Sequence, residues 1–245
     1  MTAVARPRTG ILVGPGVLGN LAGVRALAEA VGVAVINTWG AKGAFRWDSP
    51  FHGGTAGLQE RDFELAGLGD VDLLLTAGLD PDEVTTTPWE PDTEVVDLPV
   101  AELDVLASKW PHEPFEPTRP RLYTELAAVV QPLYADPASP AARLNAMNQA
   151  LPPGGVVFAP PGLLGFWVAR TWSTTVPGSV VVPASTEPGL TQRLAAEAAA
   201  DGRPVTLLSE EARSVDGVEV VVWEGDLTIP RALIDVAGPL VAWTR

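Results

Sequence analysis

The first residues that invite chemistry are Gly14, Gly16 and Gly19 in Ile11-Leu-Val-Gly14-Pro-Gly16-Val-Leu-Gly19, an apolar run followed by Gly-x-Gly-x-x-Gly at the opening of a helical pattern. Glycines at this spacing permit a tight turn and let a phosphate approach backbone N–H groups at the positive end of a helix, so the candidate chemistry is nucleotide binding. The dinucleotide pattern also asks for a carboxylate at the end of the second strand, to hold the ribose hydroxyls. Here that strand ends Val35-Ile36-Asn37-Thr38, which disfavours a standard NAD site. A Gly-rich turn with no ligand is the plain alternative. The next turn, Thr38-Trp39-Gly40-Ala41-Lys42-Gly43, puts a hydroxyl, glycines and one of only two lysines at a strand's carboxyl end, where open α/β sheets bind ligands. Lys42 and Arg46 would face an anion there, or stand solvated in a Gly turn. Two further loops, His52-Gly53-Gly54-Thr55-Ala56-Gly57 and Leu79-Asp80-Pro81-Asp82-Glu83, are expected at the same edge. His52 has neither a second His nor an evident nucleophile beside it, and a packing or capping role is the expectation. The pairs Asp80/Asp82 and Glu210/Glu211 have types suited to acid–base work, but spacing alone does not give their separation.

Composition removes several other chemistries. The chain of 245 residues has no Cys, so disulfides, thiolate nucleophiles, cysteinyl zinc and iron–sulfur sites are excluded, and with two His, His52 and His112, so is a multi-histidine metal centre. No Gly-x-Ser-x-Gly elbow and no Walker phosphate loop occur. Sixteen Lys+Arg against 30 Asp+Glu give a formal charge of −14, a field that repels nucleic acid and anionic lipid. The opening MTAVARPRTG has no apolar core, and no apolar run approaches the ~20 residues of a membrane helix. A cytoplasmic protein with neither nucleic acid nor membrane as partner is expected.

Short β-branched runs alternate with Ala/Leu-rich stretches of helical spacing, the pattern of βα units on a parallel sheet. The fold class is therefore α/β, as two tandem Rossmann-like domains with mainly parallel sheets. Strands are expected at Ile11–Val13, Val33–Asn37, Leu73–Thr76 and Glu94–Asp97, with helices near Leu18–Val31, after Gly57 and near Ala101–Lys109. Trp110–Arg121 holds four Pro in twelve residues and marks a boundary. The division is 1–115 for a first domain, 116–140 for a linker with a helix at Leu122–Ala135 that breaks before Pro132, and 141–245 for a second domain. That domain should contain helix Ala141–Leu151, strand Val156–Ala159, helix Leu163–Trp172, strand Ser179–Pro183, helix Leu190–Ala200, strands Val205–Leu208 and Val218–Trp223, helix Pro230–Val236 and strand Leu240–Trp243.

Five motifs in order, Ile11-Leu-Val-Gly-Pro-Gly, Asn37-Thr-Trp-Gly-Ala-Lys-Gly, His52-Gly-Gly-Thr-Ala-Gly, Asp72-Leu-Leu-Leu-Thr-Ala-Gly-Leu-Asp and Val95-Val-Asp-Leu-Pro-Val-Ala-Glu, resemble the central domain of thiamine-diphosphate-dependent enzymes of the acetolactate synthase, pyruvate oxidase and benzoylformate decarboxylase kind. The resemblance covers about the first 105 residues. It implies a Rossmann-like domain of the type that holds FAD in some members, ADP or a CoA nucleotide in others and nothing in many. The cradle it implies consists of Gly14, Gly16, Gly19, Thr38, Lys42, Gly43, Gly53, Gly54, Gly57 and Asp80, for FAD or ADP. The second half resembles a shortened form of the family's diphosphate-binding domain, but with Ser209-Glu210-Glu211 where the family has Gly-Asp-Gly and Trp223-Glu224-Gly225-Asp226 where it has Asn-Asn. A diphosphate needs close glycine backbone and a metal to offset its charge, so thiamine diphosphate with Mg²⁺ is not expected in the standard form. A displaced Mg²⁺ site at Glu210, Glu211, Glu224 and Asp226 is the alternative to a solvated acidic cluster.

The family's pyrimidine-binding domain, which precedes the central domain and supplies the glutamate for ylid formation, has no counterpart in the ten residues before the first strand. A thiamine-diphosphate-enzyme-like protein without catalysis of its own, or one completed by a separate pyrimidine-domain chain, is therefore expected. A third reading is a protein-binding module, favoured if the chain's own Trp side chains fill the first domain's cleft. Eight Trp are present: Trp39 and Trp47 flank the Lys42 turn, and Trp167 and Trp172 share one expected helix, the candidate surface for a homodimer.

Overall fold

The computed structural model describes residues 8–84, 92–111 and 118–244; His112 and the middle of the Pro-rich connector lie outside them. Five parallel strands, β1 (Thr9–Val13), β2 (Val35–Thr38), β3 (His52–Ala56), β4 (Leu73–Ala77) and β5 (Glu94–Asp97), form a first sheet in the order β3-β2-β1-β4-β5. This is the doubly wound order, with its switch point between β1 and β4. Four more parallel strands, β6 (Val156–Phe158), β7 (Val180–Val181), β8 (Val205–Ser209) and β9 (Glu219–Val222), form a second sheet in the order β7-β6-β8-β9. The α/β class and the two parallel sheets are as the alternation dictates.

The helices follow from caps and apolar periodicity. The Asn20 side chain accepts from the Gly23 N–H at 3.0 Å, which starts α1 (Leu21–Val31), and Gly32 ends it in the left-handed conformation. The residues before it, Pro15–Gly19, form a 3₁₀ turn, so the α-helix starts three residues later than Leu18. α1 and α3 (Leu103–Lys109) bury Val24, Leu27, Leu103 and Ala107 on one face of the first sheet against Ile11, Val13 and Leu75. On the other face, Leu12, Ile36 and Leu74 meet the short α2 (Asp62–Leu65) and α4 (Arg121–Tyr134) through Leu65, Leu122, Leu126 and Val130. The same apolar cluster runs on through α5 (Pro140–Ala150), α6 (Leu163–Thr171) and α8 (Arg231–Ala237) to Val157 and Leu208 of the second sheet. α7 (Leu190–Ala200) covers that sheet's opposite face. The helix of the connector is thus part of a core that both sheets share.

Several expectations are corrected. His52–Ala56 is a buried edge strand, not a loop; its glycines hide the strand signal because they serve a register shift against β2 between Val35 and Ile36. Pro132 lies inside α4 without breaking it, since the helix ends two residues later at Tyr134 and only the last turn loses a donor. Leu240–Trp243 is not a strand: Leu240 makes an isolated antiparallel bridge to Gln59. Trp167 and Trp172 are fully buried, Trp167 donating to the Leu227 carbonyl at 2.9 Å, so they form core and not a dimer surface. No helix among the described residues is long and apolar enough to cross a membrane.

The two halves are locked together at residues 58–62. The Asp62 carboxylate accepts from the N–H groups of Leu58 (2.8 Å) and Gln59 (2.9 Å) and from Nη2 of Arg170 on α6 at 2.8 Å to each oxygen. Arg170 also donates to the Thr55 carbonyl at 3.1 Å, which satisfies an acceptor on the outer edge strand β3. Gln59 donates to the carbonyls of Gly238 (2.6 Å) and Leu233 (3.3 Å). Both side chains of the ion pair are shut off from solvent, at 2% and 0% exposure. Removing one partner leaves the other as a bare buried charge, so Asp62→Ala is expected to cost about 3–5 kcal/mol in urea unfolding, and adding Arg170→Met to it is expected to recover part of that loss.

Candidate functional site

The expected cradle lies where the carboxyl ends of β1, β2 and β4 meet, and its donors are already engaged. The Gly14 N–H donates to the Ala77 carbonyl at 3.0 Å and the Gly16 N–H to the Gly78 carbonyl at 2.9 Å. A Cβ on Gly14 would lie 2.5 Å from the Leu79 Cα, and one on Gly16 would lie 2.9 Å from the Gly78 Cα. The glycines allow the turn after β1 to press against the turn after β4, backbone on backbone. Gly19 is exposed, with open space around it.

At the end of β2 an internal carboxylate takes the place that a ligand's acceptor would occupy. The Thr38 hydroxyl donates to Glu83 Oε2 at 2.5 Å, and the Gly40 N–H donates to Glu83 Oε1. Glu83 is buried, and burial pushes its carboxyl up to about 7, with the nearby Asp80 adding to the rise while Thr38 and Gly40 oppose it. Asp80 caps its own loop by accepting from the Asp82 N–H at 2.9 Å. Beside Glu83, Trp39 packs edge-on against Trp243 with centroids 5.2 Å apart. Gly57 touches the Trp39 ring, and these groups with Thr186 enclose a cavity of about 180 Å³.

The other expected residues go elsewhere. Gly43 packs on Gly178, whose N–H donates to the Gly43 carbonyl at 2.8 Å; the Lys42 carbonyl accepts from Thr174 at 3.3 Å. The Lys42 turn is therefore docked on the second half of the chain. Gly53 lies against Val35 and Ile36 of β2, and Gly54 against Leu122 of α4. Lys42 and Gly54, with His52, line a different and larger cavity of about 370 Å³, bounded by β3, α4, α5 and the carboxyl end of α6. The expected set thus divides between two places, and three residues that matter were missed: Glu83 as a stand-in ligand, and Asp62 and Arg170 as the clasp. Arg170 was legible in principle, as the one charge in the apolar helix Leu163–Thr171.

Residues 5–110 match the family model for the central domain of thiamine pyrophosphate enzymes. The first half of the chain is thus similar to the central domain of thiamine pyrophosphate enzymes. Among solved structures, a Mycobacterium smegmatis protein described as a thiamin diphosphate-dependent enzyme shares the fold over 82% of this chain, with a TM-score of 0.59 and 16% identity. The chain spans 44% of that protein's length. No curated protein sequence matches it.

The groups that the family brings with it can be tried against these residues. A nucleotide diphosphate on the central domain would find the Gly14 and Gly16 donors spent and Glu83 on the Thr38 hydroxyl. In the second domain the Ser209 hydroxyl at the end of β8 donates to the Glu211 carbonyl at 2.8 Å and accepts from the Glu211 N–H at 3.2 Å, closing the turn on itself. Glu211 pairs with Arg213 at 2.7 Å, and Asp226 holds Thr228, whose N–H and hydroxyl donate to it at 2.8 and 2.6 Å. Among the described residues no three His, Asp or Glu stand together as metal ligands. Neither a Mg²⁺–diphosphate nor the displaced Mg²⁺ site at Glu210, Glu211, Glu224 and Asp226 fits this arrangement.

The buried Glu83 carboxyl gives a signed prediction. With a folded value near 7 against the ordinary 4.5, the native state keeps a proton that the unfolded chain has lost between those values. Stability attached to the protonated form is complete below about 4.5 and is lost as pH rises through 7. Glu83→Gln is therefore expected to gain stability relative to the parent as pH goes from 5 to 8, by roughly 2–3 kcal/mol, in urea unfolding at each pH.

Proposed function

We propose that the protein is a thiamine-diphosphate-enzyme-like scaffold that performs none of the family's chemistry alone, and that acts either without catalysis or as one component beside a separate pyrimidine-domain chain in the cytoplasm. The observation that carries this is the end of β8: Ser209, Glu210 and Glu211 form a closed, carboxylate-bearing turn where a diphosphate would need bare glycine backbone and a metal ligand. Two added carboxylates repel the phosphates that the family's site attracts. Trp39 and Trp243 in the central cleft support the same reading, since a cleft packed with the chain's own rings is a structural element. The expected result of titrating the protein with thiamine diphosphate and Mg²⁺ in a calorimeter is no heat of binding. Binding at micromolar concentration without a second chain would overturn the proposal.

A second reading, an adenine-nucleotide cradle for FAD or ADP, is favoured by one observation. Glu83 places carboxylate oxygens on the Thr38 hydroxyl and the Gly40 N–H, an acceptor arrangement that a phosphate could take over once the side chain leaves. If Glu83 guards such a cradle, Glu83→Ala binds ADP where the parent does not. If neither protein binds ADP or FAD, the cleft is structural and only the first reading stands. Homodimerisation is proposed only as a partner class, and sedimentation velocity decides it.

A further inference from the structure

The geometry points to a binding site for a small organic carboxylate with an apolar or aromatic body in the 370 Å³ cavity between β3, α4 and the carboxyl end of α6, with the Lys42 ammonium as its counter-ion. This does not depend on the proposal about thiamine diphosphate. Lys42 is only 8% exposed, and among the described residues its amine has neither a hydrogen-bond acceptor nor an ion-pair partner. A mostly buried ammonium is costly unless water or an anion in the cavity that it lines offsets its charge. The same wall carries further unmet groups: His52 Nδ1 and Arg170 Nε are buried and without partners. Among the described residues, no Asp or Glu lines this cavity. The lining also includes the apolar Leu122, Leu126, Val130 and Trp172, and the half-exposed Trp47.

The chemistry selects a monoanion. Arg170 is already balanced by Asp62, which leaves Lys42 as the uncompensated charge. The carboxyl end of α6, at Arg170–Ser173, adds partial negative charge that a dianionic phosphate would meet. A carboxylate therefore fits better than inorganic phosphate, and a cavity of this volume lies in the range of small-molecule sites.

Burial, with Arg170 adding to it, brings the Lys42 ammonium down to about 7. The other titratable groups facing it are His52 from β3, held neutral by burial with a value near 3, Arg170 from α6, paired with Asp62, and Tyr123 and Tyr134 from α4, of which Tyr134 is pushed up by burial. An anion binds the charged lysine, so binding takes up a proton and affinity falls as pH rises above 7, by about tenfold per unit.

The test is calorimetric titration with benzoate, phenylacetate and phenylpyruvate, against benzamide and inorganic phosphate at matched ionic strength. At least one carboxylate is expected to bind more tightly than benzamide and phosphate, with loss above pH 7, and Lys42→Met is expected to weaken it at least tenfold while raising the melting temperature of the free protein. A merely structural lysine would lower that temperature instead. Val130→Phe, which adds bulk to the apolar lining and leaves every charge in place, must also weaken binding and keeps the test open if Lys42→Met fails to fold. Equal binding of benzamide or phosphate, binding indifferent to both variants, or no carboxylate binding at millimolar concentration would overturn the assignment.

Discussion

The Asp62–Arg170 pair is the constraint around which the two halves of this protein are arranged. Each charge has its partner and several neutral donors or acceptors besides: two N–H groups for Asp62, the Thr55 carbonyl and the Gln59 amide for Arg170. Such a pair contributes little net stability compared with apolar groups of the same shape, but it is costly to misplace, because each ion demands its whole set of partners. Its effect is therefore on position. It sets α6 of the second domain against the start of α2 and the edge strand β3 of the first, and Gln59 then reaches on to the carboxyl end of α8. A parallel edge strand with three glycines or alanines in five residues would otherwise be poorly held; here α4 packs on it, through Gly54 and Leu122, and Arg170 takes the Thr55 carbonyl.

That clasp also explains why the first domain's features are put to unusual use. In an open α/β sheet the switch point is a crevice because two turns splay apart there. Here the turns after β1 and β4 are pressed together by hydrogen bonds from Gly14 and Gly16, and Glu83 and Trp39 occupy the space beyond the end of β2. The space moves instead to the seam between the halves, where the Lys42 turn leaves the first domain to dock on Thr174 and Gly178. A lysine expected to face an anion at the end of β2, or to stand solvated there, ends up in a cavity built by helices of both halves.

Much of the architecture was legible in the sequence. Short continuous apolar runs bounded by turns, as in Ile11–Val13 and Leu73–Thr76, read as buried parallel strands, and the apolar period of Leu21–Val31 marks its helix to within one turn. What failed was local information that tertiary context overrode. Gly53 and Gly54 are poor strand formers, and only pairing with β2 makes His52–Ala56 a strand. Pro132 breaks helices in their interiors, but nothing in the sequence says that this one is two residues from the end. For the site, residue types were informative and groupings were not: Gly-x-Gly-x-x-Gly reports close backbone approach, which a phosphate and a neighbouring turn satisfy equally well.

The ten expected cradle residues illustrate the general point that a motif encodes a backbone geometry and not its occupant. Gly14 would be required whether the atom opposite it belonged to a pyrophosphate or, as here, to the backbone of Gly78 and Leu79. The deciding information lies in the groups that balance charge. A phosphate site needs free donors and cations; the switch point of this sheet offers a buried carboxylate, whereas the seam offers a buried lysine that has no partner among the described residues and a wall with no carboxylate among them. Burial lowers the charge that Lys42 holds at neutral pH, and an anion in the cavity that it lines would restore it. The groups that balance charge therefore favour a ligand in the seam between the two sheets over one in the crevice where the topology alone would put it.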